Sequence, residues 1–146
     1  MTEEAVPFRI LPELTDRTAS FWQGGEKGEL RFHRCGPCGL RLHPPVPVCP
    51  SCGAHEVAPE VVSGRARVVT FTTNYQAWMP GPELPYVVAI VEIVEDPRIR
   101  LTTNIIGCQP QDVRIGMPVE VVFEHHPDPG GDIWIPLFTP VIEEAP

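Results

Sequence analysis

At 146 residues the chain suits one ordinary domain or two very small ones, which excludes a large multidomain core. Its 11 basic and 19 acidic residues give a formal net charge of −8, which opposes general binding to nucleic acid, where a positive field must match the phosphates. Met1-Thr2-Glu3-Glu4-Ala5 carries no basic region or apolar run, and no apolar stretch approaches the roughly 20 residues of a membrane-crossing helix, so neither secretory signal nor membrane span is expected.

Residues 1–11 read as irregular, punctuated by Pro7. Pro12 suits a first helical turn, and Leu14, Thr18, Phe21 and Trp22 recur at helical spacing, which predicts a short helix over 12–23 stopped by Gly24 and Gly25. So short a helix needs a surface to pack on, either in this chain or in a partner. Residues 29–34 alternate, placing Leu30 and Phe32 on one side of a strand, and residues 40–43 return as its partner.

This hairpin carries Cys35-Gly36-Pro37-Cys38, and the stiff stretch Pro44-Pro45-Val46-Pro47 leads to Cys49-Pro50-Ser51-Cys52. Each pair sets two thiols at a tight turn, and two such turns complete a tetrahedral shell of four sulfurs. Gly39 and Gly53 follow the pairs where a knuckle needs a backbone tolerant of positive φ. The pattern is that of a zinc ribbon, with Cys35, Cys38, Cys49 and Cys52 holding one structural zinc ion; iron satisfies the same ligands. Four thiolates leave no open position for substrate, so the metal does no chemistry. Reduced, metal-bound thiols point to the cytoplasm. A ribbon buries little apolar surface, so the metal is expected to supply most of its folding free energy, on the order of 10 kcal/mol. His33 and His43 lie near a shell that is already full and read as surface or hairpin residues, while Cys108 reads as a small buried apolar side chain. Lys27, Arg31, Arg34, Arg41, Arg65 and Arg67 outnumber the nearby acids, leaving open a local anion site or a mixed solvated face.

Beyond Gly64, residues 65–75 and 85–95 are rich in Val, Thr, Ile and Phe and read as two strands. Between them a loop exposes Trp78 and Met79 among turn-forming residues. Residues 98–105, 119–124 and 133–138 supply three more strands, with a helical turn near 109–113 and a turn over 125–132. Five short strands with a brief helical connection before the fourth suit a partly open OB-type barrel. The fold class is therefore mainly β: a short N-terminal helix, a rubredoxin-like zinc ribbon and a five-stranded OB-fold barrel, with boundaries expected at 1–28, 29–60 and 61–142.

The series Phe21-Trp22-Gln23-Gly24, Leu30-x-Phe32-x-x-Cys35, Pro44-Pro45, Cys49-Pro50-x-Cys52-Gly53, Ser63-Gly64-x-Ala66, Pro85-Tyr86, Ile115-Gly116-Met117-Pro118-Val119 and Pro136-x-Phe138-x-Pro140 resembles the acyl-CoA-associated family of rubredoxin-like zinc ribbons joined to an OB-fold, long catalogued as a domain of unknown function. The match runs from about Leu14 to Pro140. Members often carry Arg after the proline pair, where this chain has Val46, so no anion contact is expected there.

The resemblance implies a non-catalytic accessory subunit of a thiolase-like complex, either a thiolase or an aldolase cleaving carbon–carbon bonds by a retro-aldol step. The partner supplies the catalytic residues, and this chain stabilises it and helps form the channel for the coenzyme A thioester. A heterotetramer around a central dimer follows from the two-fold pairing of thiolase-like subunits. Under that reading Arg65 and Arg67, with Tyr75 and Trp78 as flat surfaces, line the coenzyme A path. The chain itself offers no self-sufficient catalytic set; His125 and His126 are adjacent in a strand and point to opposite faces. The alternative is a single-stranded nucleic-acid-binding module using Arg65, Arg67, Phe71, Tyr75, Arg98 and Arg100, against which the net charge weighs.

Overall fold

The computed structural model describes residues 9–142, so most of the N-terminal run expected to be irregular lies outside the described residues, as do residues 143–146. A one-turn helix, α1 (Ala19–Gln23), runs into a 3-10 turn (Gly24–Lys27). Strands β1 (Leu30–Cys35), β2 (Arg41–Leu42) and β3 (Val57–Val62) form an antiparallel sheet in the order β2-β1-β3. Strands β4 (Arg65–Asn74), β5 (Tyr86–Ile93), β6 (Asp96–Ile105), β7 (Pro118–His126) and β8 (Ile133–Pro140) close a barrel in the order β4-β5-β6-β8-β7.

Alternation explains the barrel. In β5 every second residue, Val87, Ala89, Val91 and Ile93, is buried, and Ala66 and Val68 of β4 join them. The expected opening between strands is absent: β6 meets β8 in a parallel contact at Ile105 and Phe138, and the Ile106 amide donates to the Phe138 carbonyl at 2.9 Å. The helical turn expected near 109–113 is a 3-10 turn at Pro110–Asp112.

The N-terminal helix is shorter than its periodicity predicts. Thr15 and Thr18 bond each other's backbone and side chains, and this local alternative holds residues 15–18 in a turn. The α-helix ends at Gln23 with Gly24 as its C-cap, as the glycine pair predicts, and the chain tightens into a 3-10 turn that stops at Gly28, φ +69°. Gly25 is there for space, because a Cβ would lie 2.5 Å from Trp134 Cβ and 2.7 Å from the Phe123 ring.

Two further findings concern the ribbon. Strand β3 was not expected; it pairs with β1 over Leu30↔Val62 to Cys35↔Val57 and tolerates Pro59 because it is an edge strand. Leu30 and Phe32, 1% and 2% exposed, belong to the same hydrophobic cluster as Val68, Val91 and Phe138 of the barrel. The ribbon thus draws on a shared core and does not rest on metal alone. Phe21 joins that core through Phe32 and His43, with ring centroids at 5.8 and 4.9 Å, so the helix packs on its own chain.

Candidate metal centre

Each cysteine pair sits in a turn built the same way. The amides of Cys35 and Cys49 donate to the carbonyls of Leu40 and Ala54, and those of Gly39 and Gly53 donate back to Cys35 and Cys49, all at 2.9 Å. Closing such a turn requires the left-handed backbone, and Gly39 and Gly53 supply it at φ +77° and +76°. The result brings Cys35, Cys38, Cys49 and Cys52 together with all four sulfurs within 4.8 Å of one another.

The cross-turn distances test what this cluster can hold. Cys35 Sγ lies 3.5 Å from Cys52 Sγ, and Cys38 Sγ lies 3.6 Å from Cys49 Sγ. A tetrahedron of thiolates at 2.3 Å from an ion has edges of about 3.8 Å, whereas a disulfide needs about 2.05 Å. The donor set fits one tetrahedral thiophilic ion. Cys35 and Cys49 are buried, Cys38 and Cys52 exposed, so the site lies at the tip of the ribbon. Backbone amides of Cys52 and Ser51 favour the Cys49 thiolate and, despite opposing burial, bring its thiol down to about 7. At Cys35 the Cys38 amide also favours thiolate, but burial and the neighbouring thiols outweigh it and push the thiol up to about 12. A cation at the centre removes this conflict by favouring thiolate at every position.

Three of the nearby basic residues are held in ion pairs. Arg31 pairs with Glu29, and Arg34 and Arg41 share Glu60 at 2.6 and 3.0 Å. Arg41 also donates to the Glu95 carbonyl at 3.3 Å, while the Glu95 carboxylate accepts from Ser63, which ties ribbon to barrel. Of the surface or hairpin positions expected for the histidines, the hairpin holds, since His33 pairs with Leu42, but both side chains are partly buried. His43 is half-buried with its ring edge-on to Phe32, and burial, then the charge of His33, lowers its pKa. His33 is also partly buried; its Nε2 lies 3.4 Å from Ser20 Oγ. Cys108 packs partly buried against the core, and burial raises its thiol pKa, with Asp112 adding to the effect.

The residues expected to line a coenzyme A path are not brought together. Arg65 and Arg67 stand exposed at the start of β4, Arg67 donating to the Gly116 carbonyl at 3.3 Å. Tyr75 and Trp78, each 75% exposed, lie beyond its far end, roughly 25 Å away at strand rise. Trp78 Nε1 donates to Asn74 Oδ1 at 2.9 Å, which orients the indole. Of the basic residues weighed for nucleic acid, Arg98 pairs with Asp96 and Arg100 with Glu92, while Phe71 packs against the core. His125 stacks on Trp134 at 4.0 Å and bonds Asp132, whereas His126 bonds Glu124; the two imidazoles share no site.

Sequence reasoning missed a groove of about 870 Å³ between residues 9–12, the loop after Trp78 and the outside of β8. Its signal was β8 itself, where Ile133, Ile135 and Leu137 alternate with Trp134, Pro136 and Phe138, making both faces apolar. Among the described residues no helix is long and apolar enough to cross a membrane.

Residues 22–58 match the family described as the ChsH2 rubredoxin-like zinc ribbon domain, and residues 60–124 match the ChsH2 C-terminal OB-fold domain. The chain is 34% identical over 130 residues to a probable enoyl-CoA hydratase alpha subunit of Thermomonospora curvata, covering 88% of this chain but only 39% of that protein. It is 38% identical over 101 residues to a DUF35 domain-containing scaffold protein of Methanocaldococcus jannaschii, covering 68% of this chain and 70% of the relative. Among solved structures, a chain of the Ltp2-ChsH2(DUF35) aldolase superposes with a TM-score of 0.77 at 32% identity, covering 89% of this chain and 98% of that one.

Proposed function

Because the chain belongs to the ChsH2/DUF35 family of zinc-ribbon and OB-fold proteins, we propose that it is a non-catalytic accessory subunit of a thiolase-like acyl-CoA complex, stabilising the catalytic subunit and helping to form the coenzyme A channel. The observation that carries this reading is the likeness, across 89% of this chain and 98% of the other, to a chain of an aldolase assembly. That likeness favours retro-aldol carbon–carbon cleavage over thiolysis as the partner's reaction. Hydratase chemistry is not carried over, since the chain spans only 39% of the hydratase alpha subunit it matches.

The chain's own chemistry supports a supporting role. The four thiols cluster with one another, and His125, His126, Arg31, Arg34, Arg41, Arg98 and Arg100 are tied into pairs with acidic side chains. In this reading Cys35, Cys38, Cys49 and Cys52 hold zinc, which supplies a cross-link between the two knuckles. Tyr75 and Trp78 offer one exposed aromatic patch to the coenzyme, and Arg65 and Arg67 a separate cationic edge. Two copies flank a central dimer of the partner in the cytoplasm.

The test is purification of the tagged chain from its native cells, followed by assay of the purified complex with acyl-CoA thioesters. A thiolase-like subunit at equal stoichiometry, active only in the pair, is the expected result. A chain that remains monomeric, or that binds single-stranded DNA tightly in moderate salt, overturns the proposal in favour of a nucleic-acid module.

A further inference from the structure

The four thiols of the ribbon tip differ in access. Cys38 and Cys52 are exposed, whereas Cys35 and Cys49 are each only 1% exposed. Each contact across the knuckles joins one of either kind: Cys38 Sγ stands 3.6 Å from Cys49 Sγ, and Cys52 Sγ 3.5 Å from Cys35 Sγ. Thiols that ligate a cation are deprotonated outright, and thiolate character combined with access to solvent is what opens a cysteine to oxidation. An oxidant arriving from water therefore meets an exposed thiolate first, with a buried one within reach behind it.

The first knuckle carries a further feature. Arg34 Nε donates to the Gly39 carbonyl at 3.0 Å, and a Cβ on Gly39 would lie 3.5 Å from Arg34 Nη2, so a guanidinium covers the residue that follows Cys38. Glu60 takes Arg34 Nη1 at 2.6 Å and leaves Nη2 without a partner among the described residues. Residues 49–54 of the second knuckle include no Lys or Arg. A cation beside a thiolate assists an attack that expels an anion, which sets Cys38 apart from Cys52.

We propose that the ribbon tip is a site of reversible oxidation by hydroperoxides, in which Cys38, beside Arg34, is the thiol attacked and Cys49 the one that resolves it. The inference rests on the reading that the four cysteines hold zinc. The Cys38 thiolate attacks a peroxide oxygen; the O–O bond breaks, hydroxide leaves and a sulfenic acid forms. The Cys49 thiolate then attacks that sulfur; the S–O bond breaks, a second hydroxide leaves and a disulfide closes, the two sulfurs moving together by about 1.5 Å. Two thiolates have given two electrons to one peroxide. Left with two of its four ligands, the chain lets the ion go, yet the new disulfide joins the same two turns and takes over the cross-link. A bond inside either knuckle, Cys35 to Cys38 or Cys49 to Cys52, would leave the turns unjoined.

The experiment treats the full, metal-loaded chain with hydrogen peroxide. Zinc release is read with a chromogenic chelator, and the disulfides are mapped on peptides after free thiols are alkylated. The expected result is release of about one zinc per chain, with Cys38–Cys49 as the first disulfide and Cys108 still free. Amide protection at Gly39 and Gly53 is kept in the oxidised chain and lost when the reduced chain is chelated. Arg34→Gln is expected to bind zinc as the parent does and to release it about threefold more slowly under peroxide. A first disulfide inside one knuckle, sulfinic acid formed without a disulfide, or zinc retained by four free thiols in excess peroxide overturns the proposal. So does an Arg34→Gln chain that is oxidised as fast as the parent. Metal content measured before treatment tests the zinc reading by itself, and the disulfide map of the same sample tests this one, so the two fall separately.

Discussion

Cys35 Sγ lies 3.5 Å from Cys52 Sγ, one thiol from each knuckle, a spacing that suits two ligands of one ion and not a disulfide. Because Leu30 and Phe32 on the same ribbon belong to the barrel's hydrophobic cluster, the knuckles and the core are held by different forces. Chelation is therefore expected to release the Cys35 to Cys52 segment while the barrel stays folded. Hydrogen exchange checks this: amide protection is lost at Gly39 and Gly53 and kept at Val91 and Val119. Cys49→Ser should lose metal and partner binding together, read by metal content and by sizing of the complex.

Phe32, 2% exposed, contacts Phe21 and His43 and carries the ribbon into the core. Phe32→Ala should cost about 3–5 kcal/mol in denaturant unfolding. A loss near zero would mean that the ribbon contributes nothing to the barrel's stability.

Gly25→Ala drives a methyl to within 2.5 Å of Trp134 Cβ, in a place where backbone and ring cannot both retreat. About 1–3 kcal/mol of destabilisation is expected from such overpacking. Gly28→Ala has nothing within 4 Å and meets only the strain of its positive φ, on the order of 1 kcal/mol. The melting temperatures of the two variants should rank in that order.

Asp96, 5% exposed, accepts two side-chain hydrogen bonds and one backbone hydrogen bond from Arg98, and these bonds lower its pKa against the opposing effect of burial. A folded pKa below the unfolded value favours the native state once the unfolded carboxyl ionises. The contribution is therefore full above about pH 4 and disappears as pH falls through the folded pKa. Asp96→Asn should lose on the order of 1 kcal/mol at neutral pH, since Arg98 is largely exposed, and the gap should close in acid. Stability measured from pH 2 to 7 on both chains checks the sign.

Arg67 stands near the start of β4 and Trp78 beyond its end. If both touch the coenzyme, their effects on acyl-CoA affinity should add within about 0.5 kcal/mol in a double-mutant cycle on the complex. A larger coupling would mean that the partner folds the ligand back along the strand.

Local pattern made much of the molecule legible. The spacing of the cysteine pairs and the glycines after them dictated the knuckles, because ligand reach and backbone φ are properties of a few consecutive residues. Period-two alternation located the barrel strands for the same reason. Strand β3 escaped because Val57-Ala58-Pro59-Glu60-Val61-Val62 alternates poorly and contains a proline that only its edge position tolerates. Residues 12–18 carried a helical period, yet the Thr15–Thr18 hydrogen bonds gave the backbone a local alternative.

The sequence by itself determined the four-cysteine cluster, the β class and the family likeness, all of which rest on short-range chemistry. Only the tertiary structure decided that the barrel closes through Ile105 and Phe138, that Gly25 is kept bare for Trp134, and that Arg9 crosses the chain to Glu124 at the floor of a groove. These features join residues far apart in the chain, and their energies depend on which surfaces meet once every strand has found its neighbour.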